Sequence, residues 1–351
     1  MDFAFTDEQA MIAETARQFF TETATSKRTR EAMKVDGFDR DTWRSFCQEL
    51  GLSGLLISEE FGGSGLGMVE FANVAEAAGA QVAAIPLLGQ TMVGQAIAAG
   101  GSDEQKSAWL PRLATGEIVA TASGNAELNA KGNILSGAIK FVPHGNIADM
   151  FIVSDGKNAW IVDGSANGLT VETPTTMDQT RPLATLTLDN VDADPLADSD
   201  AALAAGKSGG WICLAAEALG GAQACLDRTV AYSKERVQFG RAIGSFQAYK
   251  HRAADMMIEI EQARSAVYWA ACAVDEGSDD AMMALHAAKS FCADSYFKCA
   301  GDMIQLHGGI GFTWEHDAHL FFKRARSIQT LLQNSVWHNE QIATMILGEA
   351  A

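Results

Sequence analysis

The cationic side chains best suited to bind a phosphate group occur in two short stretches of the chain. Arg236 stands four residues before Gly240 and eleven residues before Gln247, and a second cluster reads Lys323-Arg324-Ala325-Arg326. A guanidinium can hold two phosphate oxygens through parallel hydrogen bonds, and it keeps its charge near neutral pH. The structural alternatives are an arginine that bonds carbonyls at a helix end before a glycine turn, and a solvated helix face. Both interpretations of each stretch stay open at this point.

The overall charge limits what those cations could bind. The chain has 351 residues, 48% of them hydrophobic, and a formal net charge of -18. This composition is globular and is sufficient for two or three domains with a sizeable core. Nucleic acids and anionic membranes bind largely through Lys and Arg residues that neutralise phosphates, so the charge disfavours both as partners. Any polyphosphate ligand must therefore be held by a few local cations.

The cysteines indicate a reducing compartment. They occupy apolar positions typical of helices, they form no Cys-x-x-Cys pair, and the histidines do not cluster as metal ligands do. Buried reduced thiols are the expected state, which predicts a cytoplasmic protein. Residues 1–5 show no signal-peptide pattern, and no uncharged apolar run reaches the length needed to span a bilayer. The cysteines are Cys47, Cys213, Cys225, Cys272, Cys292 and Cys299.

Helices are expected throughout the first third of the chain. Thr6 and Gln9 have the spacing of a capping box, and apolar residues follow at three- and four-residue intervals. A second helix is expected from about Asp41 to Leu50, ending at Gly51, and a third near Val69 to Ala78. The chain therefore begins with a helical domain.

The periodicity changes to that of strands from about Val119. Short apolar runs at Phe151 to Val153 and Trp160 to Val162 are bounded by turn residues, and Ala184 to Leu188 alternates apolar with polar side chains. These runs predict a small antiparallel domain. The polar stretch from Asp192 to Asp200 breaks both periods and is the candidate linker at its end.

Long amphipathic helices are expected after that linker. One has an apolar stripe from Ile243 to about Asp275, and a second covers about Asp279 to Leu306. The predicted fold class is α+β and multidomain. It comprises an N-terminal α-helical domain (1–118), a middle β-domain (119–197) and a C-terminal helical bundle (198–351), expected to be a four-helix bundle.

Two motifs in the last of these domains resemble those of the acyl-CoA dehydrogenase family. One runs from Arg236 to Gln247 as Arg-Val-Gln-Phe-Gly-Arg-Ala-Ile-Gly-Ser-Phe-Gln, and the other is Gln-Leu-His-Gly-Gly from Gln305 to Gly309. The domain order also matches that family over nearly the whole chain. The resemblance implies that FAD is the cofactor and that the second motif reaches into the FAD site of a neighbouring subunit, where its glycines permit close approach. The FAD-binding residues that it implies are Arg236, Gln238, Phe239, Gln247, Gln305, Gly308 and Gly309.

The resemblance is weaker in the middle domain. Catalytic members line the flavin ring with a Thr-Glu-Pro-type loop and a Trp-Ile-Thr-type run. In this chain Thr121 to Ala126 and Lys140 to Gly145 stand in those two places. The following Asn146 to Asp149 does match the family pattern, so the fold is expected to be kept while the flavin-ring contacts differ.

Neither position at which the family keeps its catalytic base carries an acid in this chain. Aligned without a gap from the Gln305 motif, the usual glutamate falls on Leu332, which cannot accept a proton. At the other position, on the first helix of the last domain, Gly210 and Trp211 replace an acid and an arginine. Glu217, two turns further along, is either a buried structural carboxylate or a displaced base.

The resemblance implies α,β-desaturation of an acyl-CoA thioester, with electron transfer flavoprotein as the family's usual electron acceptor. Loss of both bases fits the base-free subunit of the heteromeric, α2β2 acyl-CoA dehydrogenases of steroid side-chain degradation. The expected partner is then a base-carrying homologue. Two alternatives stay open, namely a self-sufficient homotetramer that uses Glu217 as its base, and a non-enzymatic scaffold on the same fold.

Overall fold

The structure, a computed structural model, describes residues 5–348. Its α-helices are α1 (Asp7–Thr23), α2 (Ser26–Met33), α3 (Arg40–Arg44), α4 (Met68–Ala80), α5 (Leu87–Gly100), α6 (Asp103–Ala114), α7 (Ser199–Glu235), α8 (Gln247–Asp275), α9 (Ala281–His307), α10 (Ala318–Thr330) and α11 (Ser335–Leu347). Its strands are β1 (Ala120–Asn125), β2 (Leu128–Lys131), β3 (Ile134–Pro143), β4 (Met150–Ser154), β5 (Ala159–Asp163), β6 (Leu169–Glu172), β7 (Leu183–Asp192), β8 (Asp194–Pro195), β9 (Val237–Gln238) and β10 (Arg241–Ala242).

The residue contacts divide the described chain into two compact units. One unit comprises the chain through Ser26, the segment Ala72–Ala83 and everything from Leu214 onward. The other comprises Lys27–Phe71 and Ala84–Cys213. The predicted domain boundaries, after residues 118 and 197, remain sequence-based predictions.

The helices of the first third of the chain begin and end at the capping and glycine signals that the sequence contains. Helix α1 has the predicted capping box, with the Thr6 hydroxyl accepting from the Gln9 amide and the Gln9 side chain accepting from the Thr6 amide. Its apolar stripe buries Ala16 and Phe20 completely. Helix α3 continues as a π-helical turn, and the chain then reverses at Gly51, whose φ of 66° suits glycine. The helical N-terminal domain is confirmed.

The middle of the chain forms two four-stranded sheets, with strand orders β1-β4-β5-β8 and β2-β3-β7-β6. Their apolar faces enclose one core that includes Leu135, Phe151, Trp160 and Leu186. The predicted antiparallel domain is confirmed, except that β1 and β4 pair in parallel because a long connection separates them. The predicted linker was wrong in part, since Asp194–Pro195 pairs with β5 as an edge strand, a position that tolerates proline.

Helices α7 to α11 make up the remaining part, and α8 and α9 are the two long helices that the amphipathic patterns predict. Helix α8 ends at Asp275 as expected but begins at Gln247, because a tight turn precedes it. Helix α9 packs against α8, α10 and α11. Within residues 5–348, no helix combines the length and the apolar character needed to cross a bilayer.

Candidate functional site

Arg236 follows the last residue of α7 and is exposed. The chain then makes a two-residue hairpin between β9 and β10, with Phe239 at φ 54° and Gly240 at φ 76°. Such turns favour Asn-Gly, so a phenylalanine in the left-handed region is strained. The Phe239 side chain is nevertheless 91% exposed and meets the Phe246 ring edge-on, with centroids 6.2 Å apart, so burial within residues 5–348 does not account for its conformation. Strain of this kind is typical of functional positions.

The N-terminus of α8 lies against the end of α7. The Tyr249 hydroxyl in its first turn donates to the Thr229 carbonyl at 2.9 Å, and burial raises the pKa of Tyr249 to about 12. Gly244 allows the preceding turn to approach α7, because a Cβ there would lie 2.7 Å from the Ser233 hydroxyl. The start of α8 is therefore held against the end of α7, and the Ile243 amide in the turn before it donates to the Arg236 carbonyl at 2.8 Å.

This helix N-terminus is suited to an anion. No side chain caps the first turn of α8, so the backbone N–H groups of Gln247 and Ala248 and the helix dipole remain available, whereas the Tyr249 amide donates to the Phe246 carbonyl. Arg236 and Arg241 precede this terminus in the chain, Lys250 is the fourth residue of α8, and all three are exposed; the Arg241 guanidinium lies 4.0 Å from the centre of the Phe246 ring. Within residues 5–348 none of these three cations forms an ion pair. A phosphate is the ligand that such a group accommodates.

The C-terminus of α9 forms a second open surface. Gln305 is exposed, and the chain leaves the helix at Gly308, whose φ of 62° explains the glycine. Gly309 has no such backbone requirement, and a Cβ placed on it would meet no atom within 4 Å. Nothing inside the described chain therefore explains the second glycine, whereas close approach by another molecule does.

A stack of two rings joins these surfaces. The rings of Tyr232, one turn before Arg236, and His307, next to Gly308, stack with their centroids 4.5 Å apart. The His307 Nδ1 lies 2.7 Å from the Met303 carbonyl. Burial lowers the pKa of His307, which favours the neutral imidazole. The two sequence motifs thus lie at one end of this helical unit.

An exposed aromatic loop follows Gly309, and sequence reasoning did not single it out. Phe312 and Trp314 are 75% and 64% exposed. The loop is fixed by Asp317, which accepts from the Arg228 guanidinium at 3.1 Å and from the Ser26 hydroxyl at 2.6 Å. Two large apolar side chains in a glycine-rich turn were the signal that could have revealed this surface.

The two positions at which relatives carry their base, and the alternative acid Glu217, differ in how far they are buried. Leu332 is half-buried with a φ of 50°, and Gly210 and Trp211 are buried within α7. Glu217 is 2% exposed, and its carboxylate lies 4.0 Å from the Arg324 guanidinium. A Cβ on Gly79 would lie 2.1 Å from the Glu217 carbonyl oxygen, so two helix backbones touch at this point. Glu217 is therefore enclosed by its own unit.

The basic cluster after the aromatic loop is not a single cationic surface. The Lys323 ammonium lies 4.0 Å from the centre of the Trp314 ring, Arg324 is buried, and Arg326 donates to Gln329 at 2.9 Å. Each cation thus has a local contact. The solvated-face interpretation does not hold for Arg324, which lies inside the unit.

The two segments that stand in the place of the family's flavin-ring loops belong to strands β1 and β3 and to the turn after β3. Thr121 lies in β1, fully buried, and its hydroxyl donates to the Pro143 carbonyl at 2.7 Å. His144 is also buried, at φ 52°, and its amide donates to the Pro182 carbonyl. Thr121 is therefore engaged within the fold and is not presented to a ligand.

The chain has a helical part, then a small β-part, then a set of long helices. This order, together with a cationic helix terminus and a glycine turn, is typical of a class of cofactor-binding oxidoreductases. The sequence matches the N-terminal domain of acyl-CoA dehydrogenases over residues 6–117 and their C-terminal domain over residues 209–345. It is 36% identical over 331 residues to acyl-CoA dehydrogenase IpdE2 of Mycolicibacterium smegmatis, covering 93% of this chain and 94% of that relative. The chain belongs to the acyl-CoA dehydrogenase family.

Two solved structures are similar over their whole length. One is described as a "Tcur3481-Tcur3483 steroid ACAD G363A variant", with a TM-score of 0.90, 31% identity, and coverage of 97% of this chain and 98% of that chain. The other is the ChsE4-ChsE5 complex of Mycobacterium tuberculosis, with a TM-score of 0.91, 26% identity and full coverage of both chains. The acyl-CoA dehydrogenase fold predicted from the sequence is confirmed.

Proposed function

We propose that this chain is the base-free subunit of a heteromeric acyl-CoA dehydrogenase, and that it shares an FAD site with a base-carrying homologue. The proposed substrate class is the acyl-CoA thioester of a steroid side chain. The observation that supports this most strongly is an open cationic surface at the uncapped N-terminus of α8, combined with Leu332, Gly210 and Trp211 at the positions where relatives carry an acid. A surface that none of residues 5–348 covers fits a site completed by another subunit.

The residues at the open surface fit the adenosine diphosphate part of FAD. Arg236 and the uncapped N-terminus of α8 supply charge and N–H donors for a pyrophosphate. Gln247 and Gln305 are exposed amides that can orient polar groups, and Gly309 leaves room for a ligand against the backbone. Gln238 and Phe239 occupy the strained hairpin beside them. We assign these residues, with Gly308, to FAD binding.

The part played by this chain in the reaction is binding and orientation. Bound FAD supplies the hydride acceptor for α,β-desaturation. Removal of the α-proton requires a positioned base, and the loss of such a base typically slows a reaction by about two to four orders of magnitude. Leu332 cannot take that proton, so the carboxylate must come from the partner. This chain alone should therefore be a poor catalyst even if it retains flavin.

The descriptions of the two similar structures support the proposal that this chain works in a complex of two unlike subunits. One is described as a steroid acyl-CoA dehydrogenase with two differently named components, and the other as a complex of two differently named chains. This chain aligns with both across nearly its whole length. All six cysteines are free thiols, which fits the proposed location in a reducing cytoplasm. We also propose electron transfer flavoprotein as the electron acceptor.

The two alternatives predict different surfaces. A homotetramer that used Glu217 would need its carboxylate to reach a substrate, but that side chain is enclosed beside Arg324. A scaffold without FAD would have no need of unpaired cations around an uncapped helix N-terminus. The open cationic surface therefore favours the FAD-sharing subunit over both.

Activity of the purified chain provides the test. We expect recombinant chain purified alone to have little or no FAD and to dehydrogenate acyl-CoA poorly. Co-expression with a base-carrying homologue should give a yellow, active complex, and replacing the acid of that homologue should abolish turnover. Rapid dehydrogenation by this chain alone would contradict the proposal and favour the homotetramer. A colourless, inactive complex would favour the scaffold.

A further inference from the structure

Lys289, in the middle of α9, is a fully buried cation that the proposed function does not use. Its relative exposure is 0%, and its ammonium donates to the backbone carbonyls of Ile328, at 3.1 Å, and Gln333. A buried charge is strongly unfavourable unless hydrogen bonds satisfy it. In this unit the acceptors are carbonyls at the end of α10 and in the turn that follows. Lys289 therefore joins two helices through the backbone.

Two histidines support the same turn from another direction. The Nε2 of His338, in α11, lies 3.1 Å from the Leu332 carbonyl, which can only accept, so this nitrogen carries the proton. The other ring nitrogen of a neutral His338 must then accept. His286 donates to it from its Nδ1 across 2.7 Å. A chain of neutral imidazoles thus holds the Leu332 carbonyl.

The turn held in this way is strained. Leu332 and Gln333 have φ values of 50° and 76°, two consecutive left-handed residues that are not glycine. Side chains with a Cβ disfavour this conformation, and it persists only where surrounding contacts enforce it. Donors from α9 and α11 fix the carbonyls of both strained residues. Leu332 is also the residue that stands where the family's base is expected.

We propose that Lys289 and His338 are positioning residues that hold the Leu332–Gln333 turn in its left-handed conformation. His286 fixes the tautomer of His338 and so takes part in the same task. The turn that has lost its carboxylate is therefore kept as a rigid element. This inference concerns the chain by itself and holds whether or not the proposed partner exists, so its failure can be distinguished from failure of the proposed function.

We call Lys289, His338 and His286, together with the Leu332–Gln333 turn that they hold, the clamp. Hydrogen exchange across residues 328–338 tests the clamp in the intact chain. Lys289→Met keeps the length of the side chain but removes its donors, and it should speed local exchange by about tenfold or more, the scale of a lost charged hydrogen bond. Gln333→Gly should slow the exchange of that variant again, because glycine adopts a positive φ without strain. If Lys289 only filled space in the core, its replacement would leave a packing defect. The Gln333→Gly substitution in the exposed turn would then not slow the exchange again.

A second pair of variants keeps the test decisive if Lys289→Met fails to fold. His338→Phe retains a ring and removes the donor to Leu332, and Leu332→Gly should restore its protection in the same way. Rescue in either pair, confined to residues 328–338, supports the clamp. If exchange rises uniformly across α9, α10 and α11 and neither glycine compensates, Lys289 and His338 are packing residues and the inference is overturned.

Discussion

At the scale of single residues, the free cations and the enclosed acid have opposite roles. Arg236 is exposed and forms no ion pair within residues 5–348, whereas Glu217 is buried beside Arg324. A protein with a formal net charge of -18 has many carboxylates that could neutralise an arginine. That Arg236 has no such partner fits a phosphate as its intended counter-ion.

Arg236→Ala should weaken FAD binding. A hydrogen bond to a charged group contributes about 1.5–3 kcal/mol, so affinity should fall about 10- to 150-fold. The flavin-to-protein absorbance ratio after gel filtration of the assembled complex measures this. Arg17→Ala is the matched control, since Arg17 is an exposed arginine paired with Glu14 in α1. An unchanged ratio in a folded Arg236→Ala complex would remove Arg236 from the site.

Glu217→Gln should affect stability and not turnover. The amide keeps the shape of the side chain but removes the negative charge beside the buried Arg324 guanidinium, a loss of roughly 1–3 kcal/mol. Thermal melting should therefore shift downward, while activity of the complex stays within a few-fold. A fall in kcat of about a hundredfold, the scale of general-base removal, would instead identify Glu217 as the base.

At the scale of elements, the site is built from the ends of helices. The end of α7, the start of α8 and the end of α9 meet through the Tyr232–His307 stack and the Tyr249–Thr229 hydrogen bond. Gly308 and Gly309 then serve different purposes. Gly308 is required by its φ of 62°, but Gly309 is required by nothing in the described chain.

Gly309→Ala should therefore weaken cofactor binding without destabilising the fold. The new methyl group meets no atom of the chain within 4 Å, so it obstructs only a molecule that approaches from outside. We expect an unchanged melting temperature and a lower flavin content in the complex. Gly94→Ala is the matched control, because a Cβ on Gly94 also meets no atom within 4 Å and Gly94 lies in α5, away from the residues assigned to FAD. Equal flavin content in the two variants would contradict close approach at Gly309.

The buried histidine His338 in α11 should make the stability of the fold decrease as the pH falls. Burial, followed by the charge of Lys289 and by His286, lowers the pKa of His338 from 6.5 to about 3. The unfolded chain therefore binds the proton first as the pH falls, and stability is lost between about pH 6.5 and 3, by up to about 1.4 kcal/mol per pH unit. Burial shifts the pKa of His286 in the same direction.

Melting temperatures measured from pH 8 to pH 4 would check this. The His338→Gln variant should show a shallower decline than the natural chain, because the main group that resists protonation is absent. Parallel curves for the two proteins would show that His338 does not control acid stability.

The elements were predicted from the sequence more fully than the contacts between them. The capping box at Thr6 and the apolar stripe of α8 are local patterns, and both formed as expected. The short strand at Asp194–Pro195 was missed because its pairing with β5 is non-local and proline weakens the strand signal. The Tyr232–His307 stack and the burial of Lys289 depend likewise on helices far apart in sequence, which no local pattern encodes.

At the scale of the whole molecule, the chain has the acyl-CoA dehydrogenase fold, and we propose that it contributes an FAD-binding surface but no base. The open surface is formed by two segments at helix ends, Arg236 to Gln247 and Gln305 to Gly309. Leu332 stands where relatives carry the acid. A chain that binds FAD but has no base can take part in catalysis only if another chain supplies the carboxylate. The assembly state is therefore the central claim.

Mass photometry of the co-expressed chains, combined with flavin quantitation, tests that claim most directly. We predict an α2β2 complex with one FAD for each pair of unlike subunits and with activity that neither chain shows alone. A fully flavinated and active homotetramer of this chain by itself would contradict the account.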